Sequence, residues 1–225
     1  LNSIEYALIV AGGKGTRIKS DVPKQFLELL GKPILLHTIE SFFEYSEHIN
    51  IVLVLPKDDF ETWHSIVKKY KFERSVQLQE GGATRFQSVK NGLSKIQSGL
   101  VAIHDGVRPL VTKEIINNSF RIAAAKGSAV AAVKLKESIR IAEHDRTKAV
   151  DRSLYKLIQT PQTFDVQLIK KAYEMKEDAS LTDDASVAEV AGHKISLFEG
   201  SYENIKVTTQ EDLVIAEALL KKRKM

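Results

Sequence analysis

The chain has no cysteine among its 225 residues. That excludes disulfides, thiolate metal ligands and a cysteine nucleophile, and it fits a protein of a reducing compartment. No apolar run is long enough to cross a bilayer as a helix, and no signal-peptide pattern opens the sequence. The expectation is a cytoplasmic protein without a membrane partner. An excess of one charge is also missing: 33 bases face 29 acids, a net charge of +4. So mild a balance does not imply nucleic acid. Even the basic end "KKRKM" reads as a solvated helix terminus favoured by the helix dipole. There are only six histidines, and none is clustered at a Ser/Asp or metal-ligand spacing that would suggest histidine-based catalysis. Low-complexity segments and internal repeats are absent.

Hydrophobic residues make up 43% of the chain, enough for the core of one α/β domain spanning residues 1–225. Short apolar runs alternate with amphipathic stretches. Strands are expected at 6–11, 49–56, 75–79, 99–105, 128–133 and 194–198. Helices are expected at 34–45, 58–70, 84–96, 112–125, 165–174, 183–191 and from 210. This alternation predicts a mostly parallel, Rossmann-like sheet flanked by helices. Ligands of such sheets bind at the carboxyl ends of the strands. From 134 to 163 the pattern changes to polar–apolar alternation, "KESIRIAEHDRTKAVDRSLYKLIQTPQTF" in its main part. It reads as an extended β-hairpin arm that returns to the body at Pro161.

Chemistry concentrates in a few loops. "ALIVAGGKGTRIKSDVPKQF" (7–26) sets a buried strand against a loop with Gly12, Gly13 and Gly15, and with Lys14, Arg17, Lys19 and Lys24. Neither G-x-G-x-x-G nor the P-loop pattern is met. The physical content survives, because glycines admit backbone N–H groups to an anion and clustered cations neutralise phosphate charge. "GGATRFQS" (81–88) again stands at a strand end and opens a helix, with Thr84 placed to cap it. "HDGVRP" (104–109) sets Asp105 and Arg108 just past a strand. Asp105 suits a metal or a hydroxyl, and Arg108 a phosphate. "ENIKVTT" (203–209) supplies Lys206 before the last helix.

Together, "AGGKGTRIKSDVPKQF", "GGATRFQSV", "HDGVRP", "VDRSLYKLIQTPQ", "TDDAS" and "NIKVTTQEDL" resemble the 2-C-methyl-D-erythritol 4-phosphate cytidylyltransferase family of the non-mevalonate isoprenoid pathway. The likeness runs from about residue 5 to residue 220. The opening loop is common to many sugar nucleotidyltransferases, whereas "VDR" followed by "QTPQ" is more specific. The resemblance implies a nucleotidyltransferase fold whose arm exchanges between two subunits of a homodimer. It implies transfer of CMP from CTP to a sugar-alcohol phosphate, with Mg²⁺ as the divalent cofactor. Arg17 and Lys24 match the transition-state stabilisers. Gly82 and Ser88, with the backbone of Ala11, Gly12, Gly13 and Gly15, match the cytidine contacts. Asp105, Arg108, Thr160 and Thr182 match residues lining the substrate and nucleotide site, with Asp105 as a candidate metal ligand, directly or through water. Arg152 and Lys206 match the residues that position the acceptor phosphate. Where the family often carries Asp-Thr, this chain has Glu137-Ser138, and Ser138 keeps the hydroxyl for a substrate contact.

The implied nucleophile is a phosphate monoester, largely dianionic at neutral pH with a second pKa of about 6. It needs no general base, which suits a chain without a histidine constellation. The obstacle is charge, and preorganised cations answer it. Ribitol-5-phosphate cytidylyltransferases share the fold and chemistry and are the alternative for the acceptor. A non-catalytic nucleotide-binding module is the alternative of a different class. The retention of Arg152 and Lys206 beside Arg17 and Lys24 argues against that module, because binding alone does not need an acceptor-positioning pair.

Overall fold

The computed structural model describes residues 3–13 and 22–223. Its centre is a seven-stranded sheet. In chain order the strands are β1 (Glu5–Val10), β4 (Asn50–Leu55), β5 (Gln77–Glu80), β6 (Leu100–Asp105), β7 (Ser128–Lys134), β10 (Lys156–Asp165) and β11 (Leu197–Glu199). Across the sheet the order is β11-β7-β10-β6-β1-β4-β5. Short strands β2 (Glu28–Leu29) and β3 (Lys32–Pro33) form a separate pair, as do β8 (Ile139–Glu143) and β9 (Arg146–Val150).

Helices cover both faces, so the inner strands are continuous apolar runs. Successive residues of β1 serve opposite cores. Ala7 and Ile9 pack with Leu36, Ile39, Phe42, Trp63, Ile116 and Phe120, from α1 (Ile34–Tyr45), α2 (Phe60–Lys69) and α4 (Lys113–Lys126). Leu8 and Val10 pack with Phe86, Val89, Ile169, Tyr173 and Val187. These come from α3 (Arg85–Leu93), α5 (Val166–Ala172) and its C-terminal flank, and α6 (Asp184–Val190). A smaller cluster of Leu29, Ile34, Val107, Leu110, Val207 and Ala216 anchors α7 (Gln210–Arg223). Expected helix starts hold where caps exist: Thr84 accepts from the Gln87 N–H, and Thr112 accepts from the Ile115 N–H.

One departure from the sequence reading is large. The stretch 134–163 is not one hairpin. Only 139–150 forms the two-stranded β8–β9 unit. Residues 156–165 return as β10, a central strand antiparallel to both β6 and β7, so the sheet is mixed. A proline inside a strand argues against a central position. Here the ladder to β7 shifts register between Ile158 and Gln162, and Pro161, joined to Thr160 by a cis peptide bond, falls in that irregularity. Phe164 is fully buried, which the polar–apolar alternation did not announce.

The connection from β1 leads to β4 on one side of it, and β6 lies on the other. The chain order therefore reverses at β1, with Val10 and Asp105 as register partners at the carboxyl ends of β1 and β6. A crevice at that point is the expected ligand site of an open α/β sheet.

Candidate active site

Two cavities open at these strand ends. The first, about 530 Å³, is lined by Ala11, Gly12 and Gly13 after β1, by Pro56 after β4, by 82–85 and Ser88 around the start of α3, and by Lys24, Asp105 and Lys206. The second, about 310 Å³, is lined by Arg108, Gln159, Thr160, Gln162, Thr182 and Asp183. Arg85, Asp105 and Lys206 border both. Those three side chains form the common wall. A larger concavity of about 710 Å³ lies at the opposite strand ends, around Glu5, Tyr45 and Asn50, but its lining offers no comparable convergence of cations.

Asp105 organises the wall. Its Oδ2 lies 3.1 Å from Lys206 Nζ and 3.2 Å from Arg108 Nε, and its Oδ1 lies 3.8 Å from Arg85 Nε. Burial alone would raise this carboxyl, but Arg85, Lys206 and Arg108 hold it well below the usual carboxylate range. Arg85 turns the rest of its fork to Asp184, donating from Nη1 at 2.8 Å and Nη2 at 2.7 Å. Burial works against the Arg85 charge, and the Asp184 carboxylate more than offsets it, pushing its pKa up. Arg85, Arg108 and Lys206 thus converge on Asp105, and Arg85 also on Asp184, while the further carboxylate Asp183 borders only the second cavity; the wall between the cavities is rich in cationic donors. Such a wall favours an anionic ligand.

Secondary contacts fix these groups. Arg108 Nη1 donates to the Asn204 carbonyl at 2.8 Å, and Asn204 Nδ2 donates to the Thr160 carbonyl at 2.8 Å. The Asp105 N–H donates to Thr160 Oγ1 at 3.1 Å, which also lies 3.0 Å from His104 Nδ1. The Val207 N–H donates to the Val107 carbonyl and so holds Lys206 beside β6. Lys24 opens a 3₁₀ turn (Lys24–Phe26) whose Gln25 is buried and donates to Asp59 at 2.9 Å. A Cβ placed on Gly13 would stand 3.4 Å from Lys24 Nζ, so the first glycine loop and Lys24 are neighbours.

The first cavity is shaped by backbone. The Gly82 N–H donates to Ser88 Oγ at 3.0 Å, and Ser88 donates to the Thr84 carbonyl at 2.8 Å. Ser88 is buried and its hydroxyl is engaged inside the protein, where it sets the shape of the 82–84 loop. A Cβ on Gly82 would come within 2.3 Å of Gln87 Cβ and 3.1 Å of the Gln87 carbonyl carbon. Only glycine fits there without a shift.

The structure thus brings together Ala11, Gly12, Gly13, Lys24, Gly82, Ser88, Asp105, Arg108, Thr160, Thr182 and Lys206. Gly15 and Arg17 lie outside the described residues. Ser138 and Arg152 line neither cavity; both are exposed, and Arg152 Nη1 donates to the Lys136 carbonyl. Arg85, Asp184, His104 and Asn204 were not singled out from sequence. Arg85 and Asp184 stand inside "GGATRFQS" and "TDDAS", but only the fold shows that they pair. As a metal ligand Asp105 fits poorly, because three cations already face its oxygens. Among the described residues no cluster of three or more His, Asp or Glu side chains suits a metal ion.

The model of the family described as IspD, 2-C-methyl-D-erythritol 4-phosphate cytidylyltransferase, matches residues 6–222. The chain belongs to this cytidylyltransferase family. A 2-C-methyl-D-erythritol 4-phosphate cytidylyltransferase of Porphyromonas gingivalis is 47% identical over 218 residues, covering 96% of this chain and 97% of its own. One from Bacteroides thetaiotaomicron is 46% identical over 214 residues, covering 95% and 98%. The crystal structure of 4-diphosphocytidyl-2C-methyl-D-erythritol synthase from Anaerococcus prevotii superposes with a TM-score of 0.83 at 30% identity, covering 97% of this chain and 99% of that one. Family membership makes the chain a nucleotidyltransferase and agrees with its mixed, largely parallel sheet.

Proposed function

We propose that the enzyme transfers CMP from CTP to 2-C-methyl-D-erythritol 4-phosphate and releases pyrophosphate. The observation that carries this reading is the pair of cavities sharing Arg85, Asp105 and Lys206. One is bounded by glycine backbone and Lys24, suited to a nucleoside triphosphate. The other is bounded by Arg108, Thr160 and Thr182, suited to a small polyol phosphate. An oxygen of the acceptor phosphate attacks the α-phosphorus of CTP in line, and the bond to pyrophosphate breaks. No proton need be removed from the acceptor. Lys24 and Arg17 stabilise the charge that gathers on the α-phosphoryl oxygens. Lys206 and Arg108 hold the acceptor phosphate, and Asp105 keeps both cations in place. Magnesium would supply charge neutralisation to the triphosphate and would be held chiefly by the nucleotide and water, since the Asp105 oxygens are already taken by Arg85, Arg108 and Lys206.

The acceptor side is completed in this reading by a second subunit. The β8–β9 unit is a two-stranded ribbon, a form that is marginal alone in water. Apolar side chains stand exposed on it and beyond it: Ile141 is 45% exposed, Leu154 80% and Leu157 52%. Exchange of this arm in a two-fold dimer covers them and carries Arg152 and Ser138 to the partner's acceptor cavity. Subunit mixing tests this. Lys24→Ala and Arg152→Ala, each inactive, are allowed to exchange subunits. With Arg152 acting across the interface, half of the dimers are mixed and each has one intact site, so roughly a quarter of wild-type activity returns. Activity that stays at the single-variant level after confirmed exchange would show Arg152 acting within its own chain.

A further inference from the structure

The two ends of Arg85 do different things. Nε faces Asp105 Oδ1 at 3.8 Å in the wall between the cavities. Nη1 and Nη2 are both taken by Asp184. Asp184 is fully buried, and its Oδ1 also accepts from the Tyr173 hydroxyl at 2.6 Å. It stands at the first position of α6. The preceding Asp183 caps that helix through the Ser186 N–H and is held from β10 by Gln162 Nε2 at 2.9 Å. Arg85 stands at the first position of α3. Asp184 therefore ties the starts of two helices, 99 residues apart in sequence, across the wall of the site.

A guanidinium fork is well matched to phosphate and binds it in bidentate fashion when free. Arg85 borders the cavity assigned to the triphosphate. An unrestrained Arg85 would swing its fork onto those phosphates and leave the boundary with the acceptor cavity. We propose that Asp184 is a positioning residue that occupies the fork of Arg85, keeping the guanidinium as a fixed partition between nucleotide and acceptor. Tyr173 supports it by fixing the carboxylate. The inference rests on the assignment of the two cavities given above.

The kinetics of the full-length enzyme test it. Asp184→Asn keeps the shape but sets an NH₂ group against a guanidinium N–H, donor against donor, and releases part of the fork. Turnover over acceptor KM should fall about 10- to 100-fold, the span of a charge-assisted hydrogen bond. The KM for CTP should stay level or fall, since the released fork binds phosphate. A purely structural role would lower the melting temperature and the active fraction without separating the two KM values. If Asp184 acts through Arg85, Arg85→Gln combined with Asp184→Asn costs no more than Arg85→Gln alone; multiplied losses would overturn the proposal. Tyr173→Phe keeps the ring and loses one hydrogen bond, so it serves where the Asn variant fails to fold. A smaller loss confined to the acceptor parameter is expected, and unchanged kinetics would overturn the proposal. Lys24→Ala runs beside these variants. Wild-type kinetics there would sink the cavity assignment itself, whereas loss there with no effect at Asp184 or Tyr173 would sink the positioning role alone.

Discussion

Gly82→Ala gives a sharp test of the nucleotide cavity. The added methyl would stand 2.3 Å from Gln87 Cβ and 3.1 Å from the Gln87 carbonyl carbon. Carbon atoms settle at about 3.5–4.0 Å, so the 82–84 loop or the first turn of α3 must move by more than about 1 Å. Neither can move alone. The Gly82 N–H is bonded to Ser88 Oγ, and Gln87 Oε1 accepts from the Ala83 N–H at 3.1 Å. Gly82 has no left-handed φ, so the effect is steric and not torsional. It is also exposed at the cavity rim, so the fold tolerates the shift better than the site does. A misplacement of about 1 Å in a reacting geometry costs on the order of 10²-fold. The expectation is a fall of that size in kcat/KM for CTP. The melting temperature should drop by no more than about 4 °C, the equivalent of about 1 kcal/mol in a chain of this length. Steady-state kinetics and a thermal melt on the same preparation decide it. Wild-type kcat/KM would refute the argument that backbone at Gly82 shapes the nucleotide site. A large melting shift with normal kinetics of the surviving enzyme would refute it equally.

Lys24→Ala and Arg17→Ala should each lower kcat by about 10²–10³ with a smaller effect on CTP binding, because their charge matters most as the α-phosphoryl group gains negative charge; direct CTP titration beside turnover separates the two, and normal turnover in either variant would contradict the assigned role. His104 is fully buried, and burial lowers its imidazole from 6.5 to about 4. Between these values the unfolded chain binds a proton that the folded chain does not, so stability is complete above pH 6.5 and is lost as the pH falls toward 4. The shift corresponds to about 3 kcal/mol. Urea unfolding of the wild type and His104→Gln from pH 7 to 4 should show the wild type losing that much more than the variant; parallel pH profiles would rule it out.

Much of the site is legible in sequence because its parts are local. A buried run followed by glycines and cations marks the end of β1, and "HDGVRP" marks the end of β6; a parallel sheet brings these two ends together as register partners. What was not legible depends on pairings between distant segments. Arg85 reads as one more surface base at a helix start until Asp184 is set against it. Ser88 reads as a hydroxyl available to a base, yet its oxygen is engaged by Gly82 and Thr84 within its own loop. The central position of β10 was hidden by Pro161 and by polar residues such as Gln159 and Gln162. These are buried because their side chains bond to Ser201, Asp183 and Ala185. Apolar periodicity carries no trace of a strand whose buried face is paid for in hydrogen bonds.

In the proposed reaction the acceptor phosphate itself attacks the α-phosphorus of CTP at the junction of the two cavities. The direct measurement uses 2-C-methyl-D-erythritol 4-phosphate labelled with ¹⁸O in its non-bridging phosphate oxygens, with CTP and magnesium, followed by ³¹P NMR. Direct attack yields one pyrophosphate per product, all label retained in the cytidine diphospho-alcohol with one labelled oxygen between its two phosphorus atoms, and none in pyrophosphate. Ribitol 5-phosphate in the parallel reaction should turn over far more slowly. Label in pyrophosphate or release of CMP without the diphospho-alcohol would rule out this attack, and equal turnover of ribitol 5-phosphate would rule out the assigned acceptor.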